Sequence, residues 1–474
     1  MKKLFGFWLT LCILFGVCCG GYYYLSSTGY FGALVESVRT LFVEAIYPSA
    51  QNGGQDPAAD AQDPDTQPGA ETPPAPQHPG AGYDENGTLV APDEALHALL
   101  YTAAQNFTEE VNIAHLGYTA TALETEISRF FFTTPELFYV DNRYSIYTAG
   151  GQSTVQKIKL RYLCTPAEAQ TRLTYYNAVL DSVVAGIPAG SSDFDKVLYL
   201  HDYLVQNYAY DYEGLALETA TGQSVAVRDA YTFFYGKVGV CQAYMMAMIA
   251  LCEEAGIPCL PVTSDEIQHA WNLVKLDGAW YHVDVTWDDA GGEQSAVYPS
   301  YVSYKYFLLS GSALYSTGRT APWLTSESAN SSTYDNALWR EATTPMCKNG
   351  EDYFCIVYDK TQNTPKIWRG SPTQMQAMAT VNTKWYSAYP AYYTQSWASI
   401  VVWGDVMLVS TSTGFLYYDT DTNALSTAVD LSYSLGSNRI FGVCYVEEGG
   451  RVVFVVATDY KGTYALGAWQ IPQV

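Results

Sequence analysis

A chain of 474 residues has room for two or three domains, and its 48% hydrophobic content is enough to bury ordinary cores. A formal charge of −24, with no basic patch along the sequence, excludes nucleic acid as a partner, because a polyanion would be repelled. Low charge content (15%) beside 41 tyrosines points to the polar, aromatic-rich surface of an extracytoplasmic protein.

Lys2 and Lys3 precede an uncharged, apolar stretch from Leu4 to Leu25, about the 20 residues needed to cross a bilayer. Residues 1–28 read as an uncleaved anchor in preference to a cleaved signal, since Gly16 to Gly20 make a weak cleavage site. The two lysines then stay inside, and the rest of the chain lies outside a single-pass cell membrane anchor, or is secreted if the segment is cleaved. Residues 29–48 read as a juxtamembrane amphipathic segment, because Glu36, Arg39 and Glu44 interrupt any second span. Residues 49–92 are rich in Pro, Gly, Ala and Asp and have too little apolar surface to offset their ordering entropy. They read as a disordered linker.

Globular pattern begins at Asp93. Helices are expected at about 93–105 and 121–132, strands at 143–148 and 154–163, and a helix from the capping box Thr165-Pro166-Ala167-Glu168 to about Ala185. Residues 93–190 therefore form an N-terminal α+β domain, a prelude packed on the catalytic core. His97 and His115 are isolated, so structural or surface roles are expected of them.

The next stretch, 191–312, carries the chemistry. Ser192 opens a helix whose apolar face includes His201, which reads as a core histidine. Cys241 follows Gly239 and Val240 and starts an apolar helix that runs through Glu254 to a stop at Gly256 and Pro258. In the first turn of a helix, free backbone N–H groups and the macrodipole favour a thiolate. That matters because a thiol of ordinary pKa is only about 3% ionised at neutral pH. Gly236 and Gly239 are read as allowing close approach to the nucleophile. The oxyanion donors are expected to be backbone N–H groups, that of Cys241 among them, plus an unidentified side chain.

Two strands come after it, around the Asp277-Gly278 turn. In this register Leu276 opposes Ala279, Trp271 faces Asp284 and His269 faces Thr286. His269, Trp271, Leu273 and Lys275 then share one face with Trp280, His282, Asp284 and Thr286. The other face, Ala270, Asn272, Val274, Tyr281, Val283 and Val285, should pack on the core against the Cys241 helix. Asp284 lies within reach of His269, but His282 is also close to it, so spacing alone leaves either histidine as the base. Asp284, Asp288 and Asp289 lack the spacing of a calcium or zinc site, and no metal or cofactor is expected. Asp288 and Asp289 are read as ending the strand and lining the cleft rim. Trp287 reads as packing, and Trp271 and Trp280 as a candidate substrate-binding wall.

The motifs GVCQAYM at 239–245, HAWN at 269–272 and DVTWDD at 284–289 resemble the transglutaminase-like superfamily. Ala243 and Met245 stand where glycine and alanine are common, a departure that bears on pocket shape. KVLYLHDYLVQNYAYD at 196–211 is similar to the segment preceding the cysteine motif in bacterial members, which implies a structural role for His201 and Asp202. The resemblance implies a papain-like fold of about 120 residues with Cys241 as nucleophile, His269 as base and Asp284 as orienting acid. The implied chemistry is cysteine-dependent acyl transfer on a protein or peptide, to an amine (transglutaminase) or to water (peptidase). The alternative is a catalytically silent surface binding or assembly module.

Beyond a loop-rich stretch at about 313–340, residues 335–474 read as an all-β domain. Strand–turn–strand patterns at 356–368, 406–418 and 452–469 hint at repeated hairpins, as in a small sandwich or partial propeller. Its Tyr and Trp residues are read as sheet aromatics, with contact to cell-wall glycan or peptidoglycan as a further expectation. The fold class expected of the whole is α+β. Of ten cysteines, three lie in the anchor; the remaining seven fit one free thiol, Cys241, plus up to three bridges, with Cys252 and Cys259 a candidate pair.

Overall fold

The structure, a computed structural model, describes residues 93–149, 153–289, 302–321, 323–359, 364–383, 398–447, 449–457 and 464–472. The expected anchor, juxtamembrane segment and linker lie outside the described residues. Among these residues, no helix is long and apolar enough to cross a membrane.

Helix and sheet are mixed throughout, and the sheets are antiparallel apart from one short parallel pair. The prelude opens with a helix at Glu94–Gln105, capped by the Asp93 side chain on the Ala95 and Leu96 amides. A second helix, Ala120–Phe132, is capped by Thr119. Between and after them a three-stranded sheet places Val155–Lys159 centrally, flanked by Glu110–Asn112 and Ser145–Thr148. The Pro166–Ala185 helix begins at the capping box of Thr165 and Glu168. Prelude and catalytic region share one hydrophobic core: Phe138, Tyr176 and Phe234 pack in it with the inner helix, Cys241–Glu254.

That inner helix is buried on every side from Ala243 to Cys252. It ends where Gly256 takes a positive φ of 75°, a conformation glycine adopts without steric penalty. A four-stranded antiparallel sheet lies against it, in the order Cys259–Ser264, His269–Leu276, Ala279–Val283, Phe307–Leu309. Ala270, Val274, Tyr281 and Val283 face the helix, and Asn272 donates from Nδ2 to the Met245 carbonyl at 3.1 Å. The opposite face builds a second core from Val262, Trp271, Leu273, Tyr306, Leu309 and Leu314.

The hairpin register holds from Leu276↔Ala279 to Asn272↔Val283 and then stops. The expected pairings of Trp271 with Asp284 and of His269 with Thr286 are not made. Asp284 instead caps a single helical turn, Val285–Asp288, its Oδ1 accepting the Trp287 amide at 3.1 Å. An aspartate satisfies an open helix N-terminus better than it satisfies a strand, and the chain turns there.

Of the two glycines before the nucleophile, only Gly239 is required by packing. A Cβ on it would lie 2.6 Å from the Phe233 ring and 2.7 Å from Ala243 Cβ, whereas one on Gly236 would find open space but for Val238 at 4.0 Å. Gly239→Ala should cost about 1–3 kcal/mol through overpacking and Gly236→Ala much less, a difference that thermal melting of the two variants will read.

The C-terminal region is three successive antiparallel meanders. The first comprises Cys347–Asn349, Asp352–Asp359, Thr364–Ser371 and Gln374–Thr380. The second runs Ile400–Trp403, Val406–Ser410, Gly414–Asp419 and Ala424–Asp430, and the third Arg439–Glu447, Arg451–Ala457 and Tyr464–Gln470. Each expected hairpin is part of one meander, joined by flanking strands that carry weaker patterns. These strands fit the all-β expectation, with only short turns beside them, a 3-10 turn at Leu338–Glu341 and a helical turn at Ser432–Leu435. Among the described residues the region's aromatics are largely packed, Phe415 stacking on Trp469 at 5.5 Å, while Tyr433 stands free in solvent.

Cys164, Cys241, Cys252, Cys259, Cys347 and Cys355 are all free thiols. Cys252 and Cys259 are in hydrogen-bonding contact, unbridged. Being unpaired therefore does not distinguish Cys241 from the others.

Candidate active site

Cys241 is the first residue of the inner helix, and its N-cap, Val240, offers no side chain to the open amides. The thiol is partly exposed at the floor of a cleft of about 780 Å³. One wall is the prelude helix, through Glu124, Ser128 and Phe132; the other is the sheet-edge strand, through Leu260, Pro261 and Thr263. His269, the first residue of its strand, also lines the cleft and hydrogen-bonds the Cys241 thiol. Its Nε2 lies 2.8 Å from Asp284 Oδ2. With Nε2 engaged by the carboxylate, Nδ1 is the nitrogen left to face the sulfur.

The structure thus brings Cys241, His269 and Asp284 together in series. Burial by itself would raise the Cys241 pKa, but the hydrogen bond and charge of His269, with the Ala270 amide, outweigh it and hold the thiol below its ordinary value. Burial likewise opposes the charged imidazole, yet Asp284 and Cys241 bring His269 up to about 9. Burial would lift Asp284 as well, and His269 and Arg319 together keep it below the usual carboxylate value. The favoured state between these limits is a thiolate–imidazolium pair aligned by a carboxylate.

His282 does not join this series. It is fully buried, its Nδ1 receives the Trp271 indole N–H at 3.0 Å, and burial with the nearby Arg319 charge pushes it down to about 3. It remains neutral at any ordinary pH.

Trp271 and Trp280 do not line the cleft. Trp271 is 1% exposed beneath the His269 ring, at 5.5 Å, and Trp280 packs on the second core under the Lys275 ammonium. The face that spacing assigned to the cleft is covered by the chain from Tyr306 to Ala329. Trp287, by contrast, is 44% exposed, with its ring 5.4 Å from that of His269.

Asp288 and Asp289 are not rim residues either; both are buried. Asp289 accepts the Tyr244 hydroxyl at 2.5 Å. Asp288 Oδ2 meets His201 Nε2 at 3.2 Å while its Oδ1 accepts the Tyr306 amide and the Ser303 hydroxyl. His201 Nδ1 meets Asp202 at 2.9 Å, and Asp202 accepts the Tyr304 hydroxyl at 2.7 Å. A buried carboxylate–imidazole–carboxylate row therefore ties the Asp193–Asn207 helix to the turn that Asp284 caps. Burial opposes charge on His201, but its two carboxylates bring it up to about 9.

Three site residues had no signal in the sequence. The Tyr210 hydroxyl contacts both the Cys241 thiol and its backbone N–H; burial, with the Cys241 and Tyr212 charges, lifts it to about 12 against the pull of that N–H. Arg228 lies in the cleft wall, held by Glu218 at 2.6 and 2.7 Å. Arg319, from the loop-rich stretch, donates from Nη1 to Asp284 Oδ2 at 2.6 Å. No group of three or more metal-ligating side chains occurs among the described residues.

No curated protein matches the chain. Among solved structures, a crystal structure described as "a Putative Cysteine Protease from Cytophaga hutchinsonii" is similar at 13% identity and a TM-score of 0.19, the match covering 30% of this chain and 61% of that one. Residues 181–285 match the family model of the transglutaminase-like superfamily, and this stretch contains the nucleophile helix, the histidine strand and the aspartate turn. Residues 181–285 are a transglutaminase-like domain.

Proposed function

We propose that the protein is a cysteine-dependent acyltransferase acting on carboxamides or peptide bonds of proteins or peptides. One observation carries the reading: Cys241 begins a helix on a cleft floor and bonds a histidine whose other nitrogen is held by a buried aspartate. The Cys241 thiolate attacks the carbonyl carbon, forming a C–S bond and a tetrahedral oxyanion beside the Cys241 N–H and the Tyr210 hydroxyl. The C–N bond breaks, and the leaving amine takes the proton of the His269 imidazolium. An acceptor, amine or water, then gives its proton to His269 as it attacks the thioester, and C–S cleavage regenerates the thiolate. The cleft between the prelude helix and the sheet-edge strand is lined by both apolar groups, such as Phe132 and Leu260, and polar ones, such as Ser128 and Thr263, which supports a peptide substrate.

The uncharged stretch after Lys2 and Lys3 supports a place outside the membrane on a single-pass anchor, with cell-wall glycan as a further partner of the C-terminal region. Membrane fractionation and protease accessibility of intact cells test the first, and peptidoglycan pull-down the second.

The deciding experiment is mass spectrometry after incubation with a glutamine-containing peptide and a primary amine, with Cys241→Ala as control. An amine adduct or a hydrolysed product that the control lacks is the expected result and identifies the acceptor. Identical traces across a broad peptide panel would leave the domain a binding module.

A further inference from the structure

Arg319 is an odd residue to find where it is. It is 3% exposed, and among its guanidinium nitrogens only Nη1 has a hydrogen-bond partner, Asp284; Nε and Nη2 have none. The guanidinium instead lies 3.8 Å from the Trp287 ring centre, 4.7 Å from that of Trp271 and 5.1 Å from that of Tyr306. Cation–π attraction offsets part of the desolvation cost. A buried ion pair is nonetheless a poor source of stability, and an apolar side chain of similar volume would often serve as well or better. The charge therefore calls for an explanation other than packing. Arg319 also lies outside the stretch that matches the family.

Its contact supplies one. Asp284 Oδ2 accepts from Arg319 at 2.6 Å and from His269 at 2.8 Å, while Oδ1 accepts the Trp287 amide. The carboxylate is thereby fixed at both oxygens. Arg319 and His269 also share their aromatic neighbours, since Trp271 and Trp287 flank both. An orienting carboxylate creates a conflict in a cysteine site: its negative charge favours the imidazolium but opposes the thiolate beyond it. A cation on the far side of the carboxylate relieves that conflict without disturbing the hydrogen bond to the imidazole.

We propose that Arg319 is a positioning residue of this site: its guanidinium locks the Asp284 carboxylate against His269 and offsets that carboxylate's charge, so that Asp284 orients the imidazole without opposing the Cys241 thiolate. The inference rests on the acyl-transfer reading of the site, but it concerns formation of the thiolate, which is measurable without turnover. The titratable groups involved are few. His269 is faced by Asp284 and Cys241; Asp284 by His269, Arg319, Cys241, His282, Asp288 and Tyr306; and Cys241 by His269, Asp284, Tyr210 and Arg228. Removing a positive charge raises the pKa of every group that feels it, so loss of Arg319 moves thiolate formation to higher pH.

The test is the pH dependence of iodoacetamide alkylation at Cys241 in the full-length protein, followed by peptide mass spectrometry so that other thiols do not interfere. Arg319→Gln and Arg319→Met are both neutral but pack differently, so one serves if the other fails to give a cooperative melt. In either, the rise of the profile is expected to move up by about half a pH unit, a roughly threefold slower reaction on the rising limb. Arg319→Lys keeps the charge and should return the limb to the wild-type position. A folded neutral variant with an unmoved limb overturns the proposal, as does a lysine variant displaced as far as the neutral ones. Absence of turnover in the wild type, with the limb shifted as described, would count against the acyl-transfer reading alone.

Discussion

His269→Ala is expected to slow iodoacetamide alkylation of Cys241 by about a hundredfold or more at pH 6. In the wild type, burial would raise the thiol, but the hydrogen bond and charge of His269 hold it below its ordinary pKa, so more of it is thiolate than in a free thiol at the same pH. Without the imidazole, burial dominates and pushes the thiol up. The pH window has two edges. Thiolate appears as pH rises through the lowered Cys241 value, and the imidazolium, the proton donor of the proposed reaction, is lost through about 9. Turnover should therefore be bell-shaped with macroscopic limbs that belong to the pair. Asp284→Asn should retain much of the alkylation but lose turnover by on the order of 10²- to 10⁴-fold, because the asparagine can hold the wrong tautomer. Equal alkylation rates for wild type and His269→Ala at pH 6 would mean that no ion pair forms.

The second large effect concerns stability. His201→Phe leaves the buried Asp288 and the part-buried Asp202 without their shared cation and should cost about 3–5 kcal/mol. Because Asp288 closes the turn that Asp284 caps, the same change should loosen the Asp284 carboxylate. The pH dependence distinguishes this from simple loss of packing. His201 is raised to about 9 in the folded protein from an ordinary value of 6.5. Its contribution is therefore complete below about pH 6.5 and is lost as pH rises through about 9. The gap in stability between wild type and His201→Phe should be widest at or just below pH 6.5 and narrow towards pH 9 to 10. Chemical denaturation of both proteins across that range measures it; a gap independent of pH would assign His201 a packing role only.

Some of this was legible in the sequence because it is local. The capping box at Thr165, the apolar run behind Cys241, the stop at Gly256 and the turn at Asp277-Gly278 are each decided by residues within a few positions of one another. Period-two alternation likewise assigned the core face of the hairpin, and the motif spacing carried the three chemical side chains to one place. Local rules also misled where two of them competed. Alternation would have continued the strand through Asp284, whereas an aspartate able to cap a helix ended it, and Asp288 was drawn inward to His201 instead of to the rim.

What the sequence by itself determined, then, is many of the helices and strands and which faces are apolar, while the choice of His269 over His282 came from the resemblance of its motifs. Only the tertiary structure decided which histidine is charged, since His282 is silenced by burial and by Arg319, a residue 37 positions further along. It also decided that the tryptophan face is covered, because the covering segment comes from Tyr306 to Ala329 and its loops carry no periodic signal. The physical reason is the same in each case. Periodicity and capping report the backbone's nearest neighbours, whereas burial and electric charge depend on what packs from distant parts of the chain.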